Sequence, residues 1–270
     1  MDGPEELTGA RDGRGASGLG RCAGRDHVRG GEMNAATGVK ALTFDVFGTV
    51  VDWRGSIMRE VRTLAQEKGL RVNAAKFADA WRAGYRPAMD RVARGELPWT
   101  KIDDLHRMIL DEILVKFKLT SLSDDEKANL NRAWHRLKPW SDTVRGLKRL
   151  KKNFTIATLS NGNVALLNNM AKHAGLPWDL ILSAEVFHHY KPDPEAYLGA
   201  AEILGLQPAE VMMVAAHKDD LRHAAQQGLK TALVLRPLEY GKGKHPDLSP
   251  EPAFDINARD FLDLAEQLGA

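Results

Sequence analysis

The spacing of hydrophobic positions changes twice along this chain. Residues 1 to about 38 carry almost nothing to bury, being dominated by Gly, Arg and small polar residues. Such a segment cannot offset its own ordering entropy. It reads as a disordered tail (1–38), or as an upstream start-site artefact with Met33 as the natural start. Its basic residues read as solvated charge rather than a nucleic-acid arm. At Val39 an apolar run begins, Val39-Lys40-Ala41-Leu42-Thr43-Phe44, and ends in Asp45. The run predicts a buried strand, with Gly48 and Thr49 turning the chain just past it.

From about 55 to 138 the period becomes helical. Val61, Leu64 and Ala65 form one stripe, and Phe77, Ala80 and Trp81 another. Leu105, Ile109, Ile113 and Phe117 follow at helical intervals, and Ser123 with Glu126 has the form of a capping box. A block of roughly four helices is expected. From Ser141 the pattern alternates: helices near 142–152, 163–173, 194–204, 219–227 and 259–268, and strands near 154–159, 180–182, 211–215 and 230–235. Alternation of this kind implies parallel strands with right-handed crossovers. The expected fold is α/β, a doubly wound, Rossmann-like parallel sheet (39–54 and 139–270) with an inserted helical cap (55–138). The cap should lie over the carboxyl ends of the strands, where such sheets bind ligands.

Composition narrows the function classes. With 38 Lys and Arg against 36 Asp and Glu, the net charge of +2 makes no case for nucleic acid or an anionic membrane. One cysteine, Cys22, excludes an internal disulfide and suits a reducing compartment. No apolar run approaches a membrane span, and no apolar segment follows the N-terminal arginines, so a cytoplasmic protein is the expectation.

Four polar sets fall at the carboxyl ends of predicted strands or just beyond. The first is Asp45-Val46-Phe47-Gly48-Thr49. A carboxylate ending a buried strand is costly unless partnered, and carboxylates serve as covalent nucleophiles; a turn or cap aspartate is the plainer reading. The second is Ser160-Asn161-Gly162-Asn163, which reads equally as a helix cap and as an anion site of hydroxyl, amide and helix N–H groups. The third, Tyr190-Lys191-Pro192-Asp193-Pro194, holds a lysine in a rigid turn. There it would keep nearby carboxylates ionised; otherwise it is a surface lysine. The fourth is Ala215-Ala216-His217-Lys218-Asp219-Asp220, with an acidic pair at a helix start, one of the pair being read as only a cap.

Together, and in this order, the four sets resemble the motifs of the haloacid dehalogenase superfamily over residues 40–270. That superfamily's phosphatases carry a second Asp two positions after the nucleophile, where this chain has Phe47, and an acidic residue early in the fourth motif, where it has Ala216. Losing both removes the acid for the leaving group and part of the oxygen shell that Mg²⁺ needs, whereas a halide leaves without protonation. The resemblance is closest to the L-2-haloacid dehalogenases. Trp81-Arg82 matches the Trp-Arg pair whose arginine binds halide in that family, the plainer reading being an exposed helix arginine beside a core Trp. Thr49 matches the threonine at the nucleophile, Ser160 and Asn161 the substrate-carboxylate and halide contacts, Lys191 and Tyr197 the family lysine and tyrosine, and Asp220 the aspartate that helps the hydrolytic water. Two features depart. Ala215 and His217 stand where better-known members have Ser and Asn, His217 resembling another branch, and Phe47 keeps a wall but lacks a tyrosine hydroxyl.

The resemblance implies a reaction without cofactor or metal. Asp45 attacks C2 of a 2-haloacid and inverts it, Arg82 and Asn161 receive the halide, and Lys191 offsets the charges of Asp45 and Asp220. Water activated by His217 or Asp220 then hydrolyses the ester. The resemblance also implies a dimer. A magnesium-dependent phosphatase and a non-catalytic binding protein on the same scaffold are the alternatives. Pro98 and Trp99 are expected in a loop near the pocket, Trp99 as core packing.

Overall fold

The computed structural model describes residues 37–244 and 246–270, so the tail expected over 1–38 lies almost wholly outside the described residues. The apolar run after Val39 becomes strand β1 (Ala41–Phe44), buried at every position. The chain continues through β2 (Val51–Asp52) into four helices, α1 (Trp53–Glu67), α2 (Ala74–Ala93), α3 (Ile102–Lys116) and α4 (Asp124–Asn131). A 3₁₀ turn (Arg132–Arg136) leads to β3 (Lys138–Pro139), which pairs antiparallel with β2. The alternating half follows as α5 (Thr143–Leu150), β4 (Thr155–Ser160), α6 (Val164–Ala174), β5 (Leu180–Ser183), α7 (Ala184–Phe187) and α8 (Pro194–Leu204). It ends with β6 (Val211–Ala215), α9 (Lys218–Gln226), β7 (Lys230–Val234), β8 (Ile256–Ala258) and α10 (Phe261–Gln267).

Among the described residues the main sheet is six-stranded, in the order β5-β4-β1-β6-β7-β8, and every pairing is parallel. This is the α/β sheet expected from the alternation. β1 is central, with β4 on one side and β6 on the other, so the chain reverses its winding direction there, the point at which such sheets open a ligand crevice. The expected helical stripes are the inward ones. Val61, Phe77, Trp81, Leu105, Ile109 and Ile113 are buried, while Leu64, Ala65, Ala80 and Phe117 are half-buried against them. Ser123 and Glu126 form the capping box in full. The first helix starts at Trp53, earlier than its periodicity suggests, because Asp52 accepts from the Gly55 N–H as its N-cap. The short pieces β2, β3, α7 and β8 are additions to the expected order; two to four residues carry too little periodicity to announce themselves.

No helix among the described residues is long and apolar enough to cross a membrane.

Candidate active site

Asp45 leaves β1 with its backbone N–H bonded to Val214 O of the neighbouring strand, which aims its side chain out of the sheet's carboxyl edge. The chain then turns at Gly48, whose φ of +92° suits glycine. That turn returns Thr49 to the carboxylate. Thr49 Oγ1 donates to Asp45 Oδ2 at 2.8 Å and accepts from the Ala216 N–H at 2.9 Å. Across the crevice, Lys191 Nζ donates to Asp45 Oδ1 at 3.2 Å and also to Asp220 Oδ2. Asp220 Oδ1 in turn accepts from Tyr197 Oη at 2.7 Å. The lysine turn is itself clamped: its backbone N–H donates to Asn161 Oδ1 at 2.7 Å, and Asn161 Nδ2 donates back to the Lys191 carbonyl at 3.3 Å.

His217 completes the ring around the carboxylate. Its Nδ1 lies 3.2 Å from Asp45 Oδ2, and its Nε2 lies 3.1 Å from both oxygens of Glu239. Glu239 is 2% exposed, and its Oε1 also accepts from Trp53 Nε1 at 3.1 Å. Burial alone would favour neutral His217, but the Glu239 charge and the hydrogen bonds to Asp45 and Glu239 outweigh it and raise its pKa to about 10. With a carboxylate at each ring nitrogen, His217 is held as an imidazolium, hydrogen-bonded through Nε2 to Glu239 and in ion-pair contact through Nδ1 with Asp45. Burial likewise opposes ionisation of Asp45; the Lys191 charge, His217 and Thr49 prevail and hold its carboxyl below the usual range. Lys191 is kept charged in the same way, burial being outweighed by Asp220 and Asp45. The site thus holds an ionised carboxylate with donors on both oxygens.

Above these groups lies a cavity of about 320 Å³, lined by Asp45, Asn161, Lys191, Tyr197, His217 and Asp220 from the sheet side and by Arg82 and Arg86 from α2. Arg82 is half-buried rather than an exposed helix arginine. Its guanidinium lies 4.3 Å from the Tyr85 ring and 5.5 Å from the Trp53 ring, and Nη1 is buried with no partner among the described residues. An unpartnered buried donor costs about 1–3 kcal/mol, so this nitrogen is prepared for an acceptor.

Not every expected residue faces the cavity. Ser160 is buried beneath the loop it begins, its Oγ accepting from the Gly162 N–H at 3.1 Å, and it does not line the cavity. Asn163, next in that loop, ties it to the helical block: its amide nitrogen donates to Asp103 Oδ2 at 2.9 Å and its oxygen accepts from the Asp103 N–H at 3.2 Å. Phe47 is buried away from the cavity lining, its ring edge-on to Trp134 and Tyr85 at 5.8 and 6.2 Å. Tyr197 does line the cavity, but its hydroxyl is committed to Asp220. Trp99 packs, stacking on His188 and tilting against Tyr190 at 5.3 and 4.8 Å. The reading of Asp219 or Asp220 as a helix cap is corrected. His217 holds the N-cap position of α9 without a side-chain cap bond, Asp219 Oδ1 accepts from Arg222 Nη1 at 2.7 Å, and Asp220 belongs to the lysine.

The residue that sequence reasoning missed is Glu239. Its available signal was its place just past the carboxyl end of β7, the same kind of position that marked the four motifs. The arginine before it, Arg236, is also buried, its Nε donating to Thr49 O at 2.7 Å and its Nη1 to Asp142 Oδ1 at 2.8 Å.

Residues 39–228 match the model of the haloacid dehalogenase-like hydrolases. This chain belongs to that family. Among the relatives of this haloacid dehalogenase-like hydrolase is the (S)-2-haloacid dehalogenase 4A of Burkholderia cepacia, 31% identical over 216 residues, covering 75% of this chain and 87% of the relative. Two solved structures are 48% identical with a TM-score of 0.83 and cover 86% of this chain. One is a defluorinating L-2-haloacid dehalogenase (96% of its chain covered) and the other an L-2-haloacid dehalogenase (99% covered). Within this family, positions 47 and 216 are Phe and Ala here, and the ammonium of Lys191 lies between Asp45 and Asp220. That donor set does not fit the hard-oxygen shell of Mg²⁺.

Proposed function

We propose that the protein hydrolyses short 2-haloacids, converting an L-2-haloacid and water to a 2-hydroxyacid and halide through an ester on Asp45. The observation that carries this reading is that one cavity is shared by an ionised Asp45 and by Arg82, whose inner nitrogen is buried without a partner among the described residues. A displacement at carbon needs both a nucleophile and an acceptor for the departing anion.

Asp45 Oδ1 is the attacking oxygen, since it accepts from Lys191 alone, whereas Oδ2 accepts from Thr49 and also lies against His217. The halide leaves toward Arg82 and Asn161, both of which line the cavity. The substrate carboxylate faces the N–H groups of the loop that Ser160 shapes from below. Lys191 and Thr49 keep Asp45 ionised and aimed, and Tyr197 holds Asp220 on the lysine. Asp220 stays committed to Lys191 and Tyr197, so His217, once it has shed its Nδ1 proton, is assigned as the base for ester hydrolysis. The relatives named above are dehalogenases of this substrate class, one of them described as defluorinating, which supports the same reading. A cytoplasmic setting and a homodimer accompany it, the second checked by light scattering on the purified chain.

The test is halide release from chloroacetate and L-2-chloropropionate in EDTA by wild type and Asp45→Asn. Release by wild type alone is expected. Failure of wild type, followed by phosphate-ester hydrolysis when magnesium is restored, would replace this reading with the phosphatase one. In heavy-oxygen water a single turnover should place the label in Asp45; label in the product alone would exclude the ester.

A further inference from the structure

In the resting site His217 has no lone pair to offer. Its Nδ1 is 3.2 Å from Asp45 Oδ2, and its Nε2 faces both Glu239 oxygens at 3.1 Å. A ring protonated on both nitrogens, each facing a carboxylate, cannot accept a proton from water. We propose that formation of the Asp45 ester is itself what frees His217 to act as base, and that Glu239 is the positioning residue that decides which nitrogen is freed. This rests on the covalent reading above.

Two carboxylates touch the imidazolium, Asp45 and Glu239. The other charged or titratable groups lining the cavities it borders are Arg82, Arg86, Lys191, Tyr197, Asp220 and His223 on one side and Lys218, Asp219, Arg222, Tyr240 and Asp247 on the other. Alkylation turns Asp45 into a neutral ester and leaves the cations in place. The imidazolium then keeps one anionic contact, and the proton that Asp45 held is the one exposed to the cavity. Glu239 retains the Nε2 proton because it is buried, receives a second hydrogen bond from Trp53, and has no room to swing: a Cβ on Gly48 would lie 2.3 Å from its Oε1. The raised pKa of His217 has the Glu239 charge and the Asp45 contacts among its causes, so its direction agrees.

The steps balance. Asp45 Oδ1 bonds to C2 as the carbon–halogen bond breaks and halide departs. The Nδ1 proton passes to solvent, leaving neutral His217 with Nε2–H on Glu239. Nδ1 takes a proton from water as the hydroxide adds to the ester carbonyl carbon. The tetrahedral intermediate expels the alkoxide, which takes the proton of the new carboxylic acid. Asp45 is again a carboxylate and His217 again an imidazolium. The sum is haloacid plus water to hydroxyacid, halide and one proton.

Asp45→Asn is a neutral isostere of the ester. Imidazole-labelled protein, with His217 assigned through His217→Gln, is titrated by NMR in the wild-type and Asp45→Asn backgrounds. Loss of one contacting charge is expected to lower the His217 midpoint by about two units or more. A midpoint unchanged between the two proteins would overturn the proposal. A second measurement uses wild type alone. Ester hydrolysis is followed by rapid quench and intact mass, and its rate is expected to level off with a midpoint well below that of free-enzyme His217. A rate that goes on rising through the free-enzyme midpoint would also overturn it. The NMR arm needs no turnover, so its failure is distinguishable from absence of dehalogenation.

Discussion

Thr49 Oγ1 donates to Asp45 Oδ2 over 2.8 Å while accepting from the Ala216 N–H over 2.9 Å, so one hydroxyl fixes the rotation of the carboxylate against the neighbouring strand. A hydrogen bond to a charged group contributes about 1.5–3 kcal/mol. Thr49→Val keeps the shape and is expected to lower kcat about 10- to 100-fold in a halide-release assay, with Thr49→Ser restoring most of it. Equal loss in both variants would mean that packing, and not the hydroxyl, matters.

Lys191, itself buried, joins the buried Asp45 to the half-buried Asp220. Lys191→Met removes the cation and leaves both charges facing each other. Breaking a buried pair in this way costs about 3–5 kcal/mol. Thermal melts should show a large drop at pH 7, smaller in the Lys191→Met/Asp220→Asn double variant. Activity should be lost in both, because Asp45 has lost its main counter-ion.

Arg82 presents a planar fork over the Tyr85 ring, with Nη1 unpartnered among the described residues. Lysine keeps the charge but neither the plane nor the fork. Arg82→Lys is expected to slow ester formation more than ester hydrolysis, seen as a halide burst at least about tenfold slower on the strength of a lost charge-assisted contact. An unchanged burst with an altered steady state would place the arginine elsewhere in the cycle.

Gly48 combines a positive φ with the contact to Glu239. Gly48→Ala strains the turn by about 1–3 kcal/mol and pushes on that carboxylate. Intact-mass spectrometry after a short incubation should show the Asp45 ester accumulating. A variant that loses ester formation and ester hydrolysis in equal proportion would count against the link from Gly48 through Glu239 to His217.

The paired charges also set a pH window for stability. His217 has its pKa raised from 6.5 to about 10, so its contribution is complete below about pH 6.5 and is lost as the pH rises through about 10. Asp45 is shifted the other way from 3.8, so its contribution is present above that value and is lost as the pH falls below it. Denaturant midpoints should fall off on both sides of this window, and His217→Gln should remove the alkaline limb.

Much of this was legible in the chain because it lies where periodicity meets chemistry. Asp45, Asn161 and His217 each follow a strand that announces itself by an apolar run, and parallel strands bring such ends to one edge. Arg82 was legible only through its neighbour Trp81 and the resemblance it carries. Glu239 was not, since it lies in a loop after β7 with no periodic frame and meets His217 22 positions away in sequence. Ser160 shows the converse: its place in the motif suggested a ligand contact, while the loop bends its hydroxyl toward its own backbone. A strand end tells where a residue starts, and the turn after it decides where the side chain goes.

The helical block enters through β2 and leaves through β3, and these two strands pair with each other, Val51 opposite Pro139. Its two ends are therefore side by side, like the two posts of one doorway. A different set of helices could be grafted between those posts without shifting the register of any strand in the main sheet. The chemistry that stays behind would be Asp45, Lys191, His217 and Asp220; what would be exchanged is Arg82 and the walls that choose the substrate. In such an architecture, new specificity can be acquired by transplant while the reaction itself is inherited unchanged.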